Sequence, residues 1–171
     1  MRRMPELELA VSATTRERRP SERDGREYHF VSEEEFERLV QDGAFLEHVT
    51  HRWGPRHGTL RSEIDRIRGA GRVPLLDLET QGALVVHDEV PGAVTVFVKA
   101  PTMEELERRL RERDTESGGE IEERLAVARE QLASEHEFDH VIVNDDLERA
   151  VQELEAIVNQ ELRTAASMSR R

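Results

Sequence analysis

The segment VPLLDLE, residues 73–79, is the stretch that decides the fold. It is a short apolar run that ends in two acidic residues, Asp77 and Glu79, as buried parallel strands do where their carboxyl ends meet a ligand site. Pro74 cannot donate a backbone hydrogen bond, so we place it near the start of the strand. Strand and helix patterns alternate after this run. The sequence therefore predicts an α/β fold, a parallel sheet with right-handed crossovers and flanking helices.

The residues that follow predict two more strands and four helices. The strands are expected over Val94–Lys99 and His140–Asn144. The helices are expected over Thr80–Asp88, from Thr102 (which forms a capping box with Glu105), over Glu120–His136 and over Leu147–Arg163. We expect a mobile loop over residues 114–119 and a disordered tail over residues 165–171, within a domain that spans residues 1–164.

The residues before the segment have shorter elements and predict a small α+β lobe over residues 14–59. Ser32 and Glu35 form a capping box that starts a helix, and Gly43 ends it. The other elements are strands over Leu7–Val11 and Ala44–Thr50, ordered loops over Arg16–Glu27 and Arg52–Gly58, and a helix over Leu60–Arg68.

Composition excludes several classes of protein. The chain has 171 residues, a net charge of −12 and no cysteine. The negative charge argues against a general nucleic-acid binder, and the lack of cysteine excludes disulfides and thiolate metal sites. No apolar run approaches the roughly 20 residues of a membrane span. We therefore expect a cytoplasmic protein with no membrane or nucleic-acid partner.

A phosphate-binding pattern lies between Ser12 and Phe30, in SATTRERRPSERDGREYHF. Hydroxyl groups, arginines and a tyrosine can surround a phosphate monoester with charge-assisted hydrogen bonds. The residues concerned are Ser12, Thr14, Thr15, Arg16, Arg19 and Tyr28. The alternative is a solvated, arginine-rich loop.

Three further groups of residues could carry chemistry. The carboxylates of Glu47, Asp77 and Glu79 could accept N–H groups of a base or hold Mg²⁺ through water, although acids also simply terminate strands. Arginines flank the expected mobile loop and could close over transferring phosphates, although charged helix faces are ordinary. These arginines are Arg109, Arg113 and Arg124. The seven histidines have no metal-binding spacing, and we expect them at the surface.

Taken in order, these residues resemble the guanylate kinase family over about Leu7 to Val158. The matching stretches are SATTR with the following RP, DGREYHFVSEEEF, FLE at 45–47, LLDLETQGA, APTMEELERRL and HVIVNDDLERA. The resemblance implies a P-loop-kinase-like parallel sheet, a GMP-binding lobe over about residues 14–59 and a lid over about residues 109–124. It also implies GMP and ATP as substrates, with Mg²⁺ accompanying ATP.

The resemblance also implies roles for individual residues. Contacts to the GMP phosphate correspond to Ser12, Arg16, Arg19 and Tyr28. Contacts to guanine correspond to Glu47, Thr59 and Glu79, and Asp77 corresponds to an aspartate near Mg²⁺ and the phosphates. The lid and catalytic arginines correspond to Arg109, Arg113 and Arg124, and a nucleotide-site asparagine corresponds to Asn144.

Three departures from the family pattern bear on function. The sequence contains no G-x-x-x-x-G-K-[ST] segment, and Lys99 is its only lysine, so we expect the first strand and the phosphate loop to be absent. His57 stands where the family has a tyrosine, and Arg113-Asp114 stands where it has Arg-Gly. Two functions remain open: a guanylate kinase whose chain is incomplete and has doubtful activity, or an inactive module that binds GMP or a phosphorylated protein.

Overall fold

A computed structural model describes residues 4–50, 54–112 and 118–168, which form two compact units that divide between Pro91 and Gly92. The described part of the first unit has six strands and three helices. The strands are β1 (Leu7–Leu9), β2 (Ala13–Thr14), β3 (His29–Phe30), β4 (Phe45–Thr50), β5 (Arg56–Leu60) and β6 (Val73–Leu75). The helices are α1 (Glu33–Gln41), α2 (Arg61–Gly69) and α3 (Thr80–Glu89).

The described part of the second unit has two strands, three α-helices and a short 3₁₀ helix at Glu135–Glu137. The strands are β7 (Val96–Lys99) and β8 (His140–Val143). The α-helices are α4 (Met103–Glu112), α5 (Gly118–Ala133) and α6 (Leu147–Met168). Leu110 of α4 packs with Ile121 and Leu125 of α5 in a small apolar core.

The α/β class predicted from the sequence is confirmed. Strand β1 pairs in parallel with β6, and β7 pairs in parallel with β8, as strand–helix alternation requires. A separate four-stranded sheet has the order β3-β2-β5-β4 and is mostly antiparallel. It spans nearly the same residues as the predicted α+β lobe. No helix within the described ranges is both long enough and apolar enough to cross a bilayer.

Helix α1 shows how local sequence builds this lobe. Ser32 caps it, because its side chain accepts a hydrogen bond from the Glu35 backbone N–H at 3.1 Å. Phe36 then points into the core of the lobe, is fully buried and packs against Ala13 and Phe45. The Phe36 and Phe45 rings stack with their centroids 4.5 Å apart. The predicted cap and apolar face therefore anchor α1 to the four-stranded sheet.

The prediction of a turn-rich loop over Arg52–Gly58 is wrong for its last residues. Arg56 to Gly58 belong to β5, which pairs with β4 in an antiparallel register. Gly58 is required here by close packing, since a Cβ atom would lie 2.8 Å from Phe45 Cδ1 and 2.9 Å from the Glu47 carbonyl oxygen. Residues 51–53 lie outside the described part of the chain.

Other boundaries also differ from the sequence predictions. Strand β6 ends at Leu75, although the apolar run predicted a longer strand, so Asp77 and Glu79 lie in the segment between β6 and α3. Helix α6 continues to Met168, so the predicted tail is helical over residues 165–168. The predicted mobile loop overlaps the start of α5 at residues 118–119, and residues 113–117 are outside the described ranges.

Candidate functional site

A cleft of about 250 Å³ lies in the first unit, against the four-stranded sheet and the end of β6. Residues from five separate parts of the sequence line it: Ser12, Tyr28, Glu47, Val49, His57, Gly58, Asp77, Leu78 and Glu79. Five of these nine are residues that the sequence predicted as substrate contacts. The fold therefore brings both the hydroxyl-bearing segment and the acidic residues to one place.

Glu47 is the buried carboxylate of the cleft. Its side chain extends from β4, and its Oε1 accepts a hydrogen bond from the Thr59 backbone N–H of β5 at 2.9 Å. Burial raises the pKa of the Glu47 carboxyl above its ordinary value. Helix α3 packs closely against this group, because a Cβ atom at Gly82 would lie 2.5 Å from Glu47 Oε2. Thr59 and Gly82 thus fix where the carboxylate lies.

Tyr28 is held in the cleft by a tight turn and by its aromatic neighbours. The Asp24 carboxylate accepts a hydrogen bond from the Phe30 backbone N–H at 2.8 Å, and Gly25, with a φ of 74°, adopts the left-handed conformation that the turn needs. The Tyr28 ring makes edge contacts with the rings of Phe30 and His57, each with the centroids 5.8 Å apart. Its position is therefore set by the chain on both sides of it.

Arg16 lies beside Tyr28, with its guanidinium carbon 5.4 Å from the centre of the tyrosine ring. Its side chain donates to Glu22 Oε1 at 2.7 Å and to the Glu17 carbonyl oxygen at 2.8 Å. Arg19, in contrast, is exposed and does not line the cleft. Of the two arginines predicted to hold a phosphate, the structure places only Arg16 against a lining residue.

The predicted residues of the second unit are only partly brought together. Arg109 Nη1 donates to the Asn144 carbonyl oxygen at 2.9 Å, and Arg109 Nε donates to Glu105 Oε1 at 2.7 Å. Arg124 is an exposed residue of α5. Arg113 lies outside the described residues. The structure thus joins Arg109 to Asn144 and leaves the predicted roles of all four residues as predictions.

Within the described ranges, no cluster of three or more histidine, aspartate or glutamate side chains could hold a metal ion. The Asp77 and Glu79 carboxylates nevertheless both line the cleft. Carboxylate oxygens are ligands that Mg²⁺ accepts one or two at a time, with water and phosphate completing its shell. The donor set fits a magnesium ion that arrives with a nucleotide better than a site made by protein alone.

Sequence reasoning missed several residues that shape the site. Val49 could have been found, because it is two residues after Glu47 and so shares its face of β4. His57 was recognised only as a departure from a pattern, yet it lines the cleft. The contacts of Glu22 and Gly82 are tertiary ones, and neither residue carries a signal in its local sequence.

Known proteins resemble this chain over most of its length. A family model described as "Guanylate kinase" matches residues 3–161. A guanylate kinase of Rubrobacter xylanophilus is 44% identical over 157 residues, which cover 92% of this chain and 82% of the relative. One of Frankia casuarinae is 48% identical over 156 residues, which cover 91% of this chain and 84% of the relative.

A solved structure gives the same result at the level of the fold. The crystal structure of guanylate kinase from Anaplasma phagocytophilum superposes with a TM-score of 0.76 at 31% sequence identity. The superposition covers 92% of this chain and 77% of the other. The prediction that the first strand and phosphate loop are absent is not confirmed by any of these matches, and it stays a prediction.

Proposed function

The chain belongs to the guanylate kinase family, a family of phosphotransferases, and we propose that it takes GMP as phosphate acceptor and ATP as phosphate donor. One observation carries this proposal: a single cleft of the first unit is lined both by hydroxyl-bearing residues and by carboxylates, and Arg16 lies beside its tyrosine. A nucleoside monophosphate needs both, one kind for its phosphate and the other for its base.

The phosphate of GMP would lie against Ser12, Tyr28 and Arg16. Hydroxyl and guanidinium N–H groups donate hydrogen bonds to phosphate oxygens, and the guanidinium also neutralises their charge. Phosphoryl transfer depends chiefly on positioning and on stabilising charge, so holding the acceptor oxygen in place is the main contribution that these side chains can make. Arg19 stays a proposed contact that would require the exposed side chain to turn toward the ligand.

The base would lie against Glu47 and Glu79, with Thr59 supporting Glu47. Guanine carries an N1–H and an amino group on one edge, and two neighbouring donors match a carboxylate acceptor. Adenine lacks the N1–H donor, so a buried carboxylate at this place selects guanine. Because burial raises the pKa of Glu47, its charged form gains more from a hydrogen-bonding ligand than an exposed carboxylate would.

Transfer itself is proposed to involve Asp77 and the arginines of the second unit. Magnesium bound to the ATP phosphates would supply charge neutralisation, and Asp77 would hold it through water. Arg109, Arg113 and Arg124 are proposed to stabilise the transferring phosphoryl group, and Asn144 to contact the nucleotide. Cytoplasmic location also stays a proposal.

The lack of a phosphate-loop motif for ATP in this sequence bears on activity. The 171 residues contain no G-x-x-x-x-G-K-[ST] segment, whose backbone and lysine cradle ATP phosphates in kinases of this kind. We therefore expect the polypeptide with this sequence to bind GMP and to turn over slowly. A coupled ATP/GMP assay tests this, and turnover in the ordinary kinase range of about 1–100 per second would contradict it.

Calorimetry with GMP and AMP tests the acceptor site directly. We expect GMP to bind and AMP to bind at least about tenfold more weakly, because AMP cannot satisfy Glu47. Arg16→Ala should weaken GMP binding by about tenfold or more through loss of a charged hydrogen bond. Arg26→Ala is the matched control, since Arg26 is in the same loop and pairs with Glu27 at 3.3 Å. Equal affinity for AMP and GMP, or equal effects of the two substitutions, would refute the proposal.

A further inference from the structure

Glu22, which the sequence did not single out, bonds through its carboxylate to both Arg16 and Arg19. One carboxylate oxygen accepts from Arg16 Nη2 at 2.7 Å, and the other accepts from the Arg19 backbone N–H at 2.8 Å. The Glu22 backbone N–H in turn donates to the Arg19 carbonyl oxygen at 3.0 Å. The Glu22 side chain is only 13% exposed although it lies in a polar loop. It therefore ties the Arg16 side chain to the backbone of the loop.

The hydrogen bond to Glu22 occupies only part of the hydrogen-bonding capacity of Arg16. A guanidinium has five N–H donors, and Arg16 uses one toward Glu22 and one toward Glu17, which leaves three without a partner among the described residues. The rings of Tyr28 and Phe30 lie 5.4 Å and 5.6 Å from its central carbon. The group is thus held by two hydrogen bonds and lies near two rings, and three of its N–H donors make no hydrogen bond within the described ranges.

We infer that Glu22 is a positioning residue, which orients Arg16 for the phosphate of the acceptor nucleotide. This inference rests on the proposed function, because it assumes that Arg16 meets that phosphate. Holding a long arginine side chain before the ligand arrives removes part of the entropy cost of binding. The hydrogen bond from Arg16 lowers the pKa of the Glu22 carboxyl, so the pair stays charged at neutral pH.

The opposite role for Glu22 is an internal competitor that a phosphate must displace from Arg16. Two observations favour positioning. The second carboxylate oxygen accepts from the Arg19 backbone N–H, which holds Glu22 in place independently of Arg16. The three remaining donors of Arg16 also let a phosphate bind while Glu22 stays in place. The two roles predict opposite signs for the effect of removing the carboxylate.

Calorimetry with GMP and with guanosine separates these roles. We expect Glu22→Ala to raise the Kd for GMP about tenfold and to leave the Kd for guanosine unchanged, because guanosine has no phosphate. Glu22→Gln keeps one acceptor oxygen and should give an intermediate loss of about threefold. Glu27→Ala is the matched control, since the Glu27 carboxylate accepts the Arg23 backbone N–H at 2.6 Å in the same loop.

Each outcome decides one question. Tighter GMP binding by Glu22→Ala would make Glu22 a competitor and overturn the inference. Equal weakening of GMP and guanosine, or an equal effect of Glu27→Ala, would show a merely structural role and also overturn it. If Arg16→Ala weakens GMP binding and both Glu22 variants do not, the inference fails and the proposed function stands. If Arg16→Ala changes nothing, the proposed function itself fails.

Discussion

Replacing Gly82 with alanine should damage the site while leaving the helix intact. Gly82 is buried in the first turn of α3, where a Cβ atom would lie 2.5 Å from Glu47 Oε2. Ordinary contact begins near 3.4 Å, so the carboxylate must retreat by about 0.9 Å. Glu47 Oε1 is 2.9 Å from the Thr59 nitrogen, and we expect a displacement of that size to stretch the pair beyond hydrogen-bond range.

Two opposing effects set the change in the free energy of unfolding of Gly82→Ala. Alanine is favoured over glycine in a helix by up to about 1 kcal/mol. Losing a hydrogen bond to a charged acceptor costs about 1.5–3 kcal/mol. The free energy of unfolding should therefore fall by about 0.5–2 kcal/mol, which is small enough for the variant to fold. Because Glu47 would no longer lie where the base needs it, we expect the Kd for GMP to rise about tenfold or more.

The assay pairs thermal melts with calorimetry and uses Gly69→Ala as its control. Gly69 is the last residue of α2, and a Cβ atom there would meet nothing within 4 Å. That variant should keep its GMP affinity and its stability or gain slightly. If Gly82→Ala binds GMP as tightly as Gly69→Ala does, then Glu47 is not fixed by α3 and the reasoning is wrong.

Three more predictions concern charge and the cleft. Glu47→Gln should weaken GMP binding yet raise the Tm at pH 7. Because the pKa of Glu47 is raised in the folded protein, wild-type stability should fall as the pH rises from 4.5 through that folded-state pKa. Thermal melts across this pH window should show the fall in wild type alone. Hydrogen bonds from Arg108 and, to a smaller extent, Arg109 lower the pKa of Glu105 to about 2. The stabilising contribution of Glu105 is therefore present above pH 4.5 and is lost as the pH falls to about 2. NMR of the Glu105 carboxyl should show a titration midpoint near pH 2, and a midpoint near pH 4.5 would contradict this prediction. His57→Tyr should lower the Kd for GMP by up to about tenfold, because it adds a hydroxyl donor in the cleft. If calorimetry shows weaker binding, the phosphate does not lie beside residue 57.

The sequence predicted those parts of the fold that depend on local chemistry. The Ser32 cap and the buried Phe36 both follow from patterns within a few residues of each other. Residues of the cleft were predicted both from their side-chain chemistry and from their place in an ordered family pattern. Ser12 and Glu79 are far apart in the chain, and only the fold brings them to one cleft.

The failures share a physical cause, which is tertiary packing that local composition does not encode. Gly58 was read as a turn former, but it is in a strand because Phe45 and Glu47 leave no room for a side chain. Asp77 and Glu79 reach the cleft from an irregular segment, although a continuous strand was predicted. Nothing in the polar loop distinguishes Glu22 from its acidic neighbours until the position of Arg16 is known.

The hydrogen bond from Thr59 to Glu47 also gives the molecule a spectroscopic reporter. Strand β5 lies inside the four-stranded sheet, between β2 and β4, so its amides are shielded from solvent on both edges and should exchange slowly. The Thr59 amide proton points at the carboxylate that is proposed to recognise the base. Its chemical shift should respond when Glu47 gains a proton or moves to a ligand. One resonance in a backbone NMR spectrum would then follow occupancy of the cleft without a label on the nucleotide.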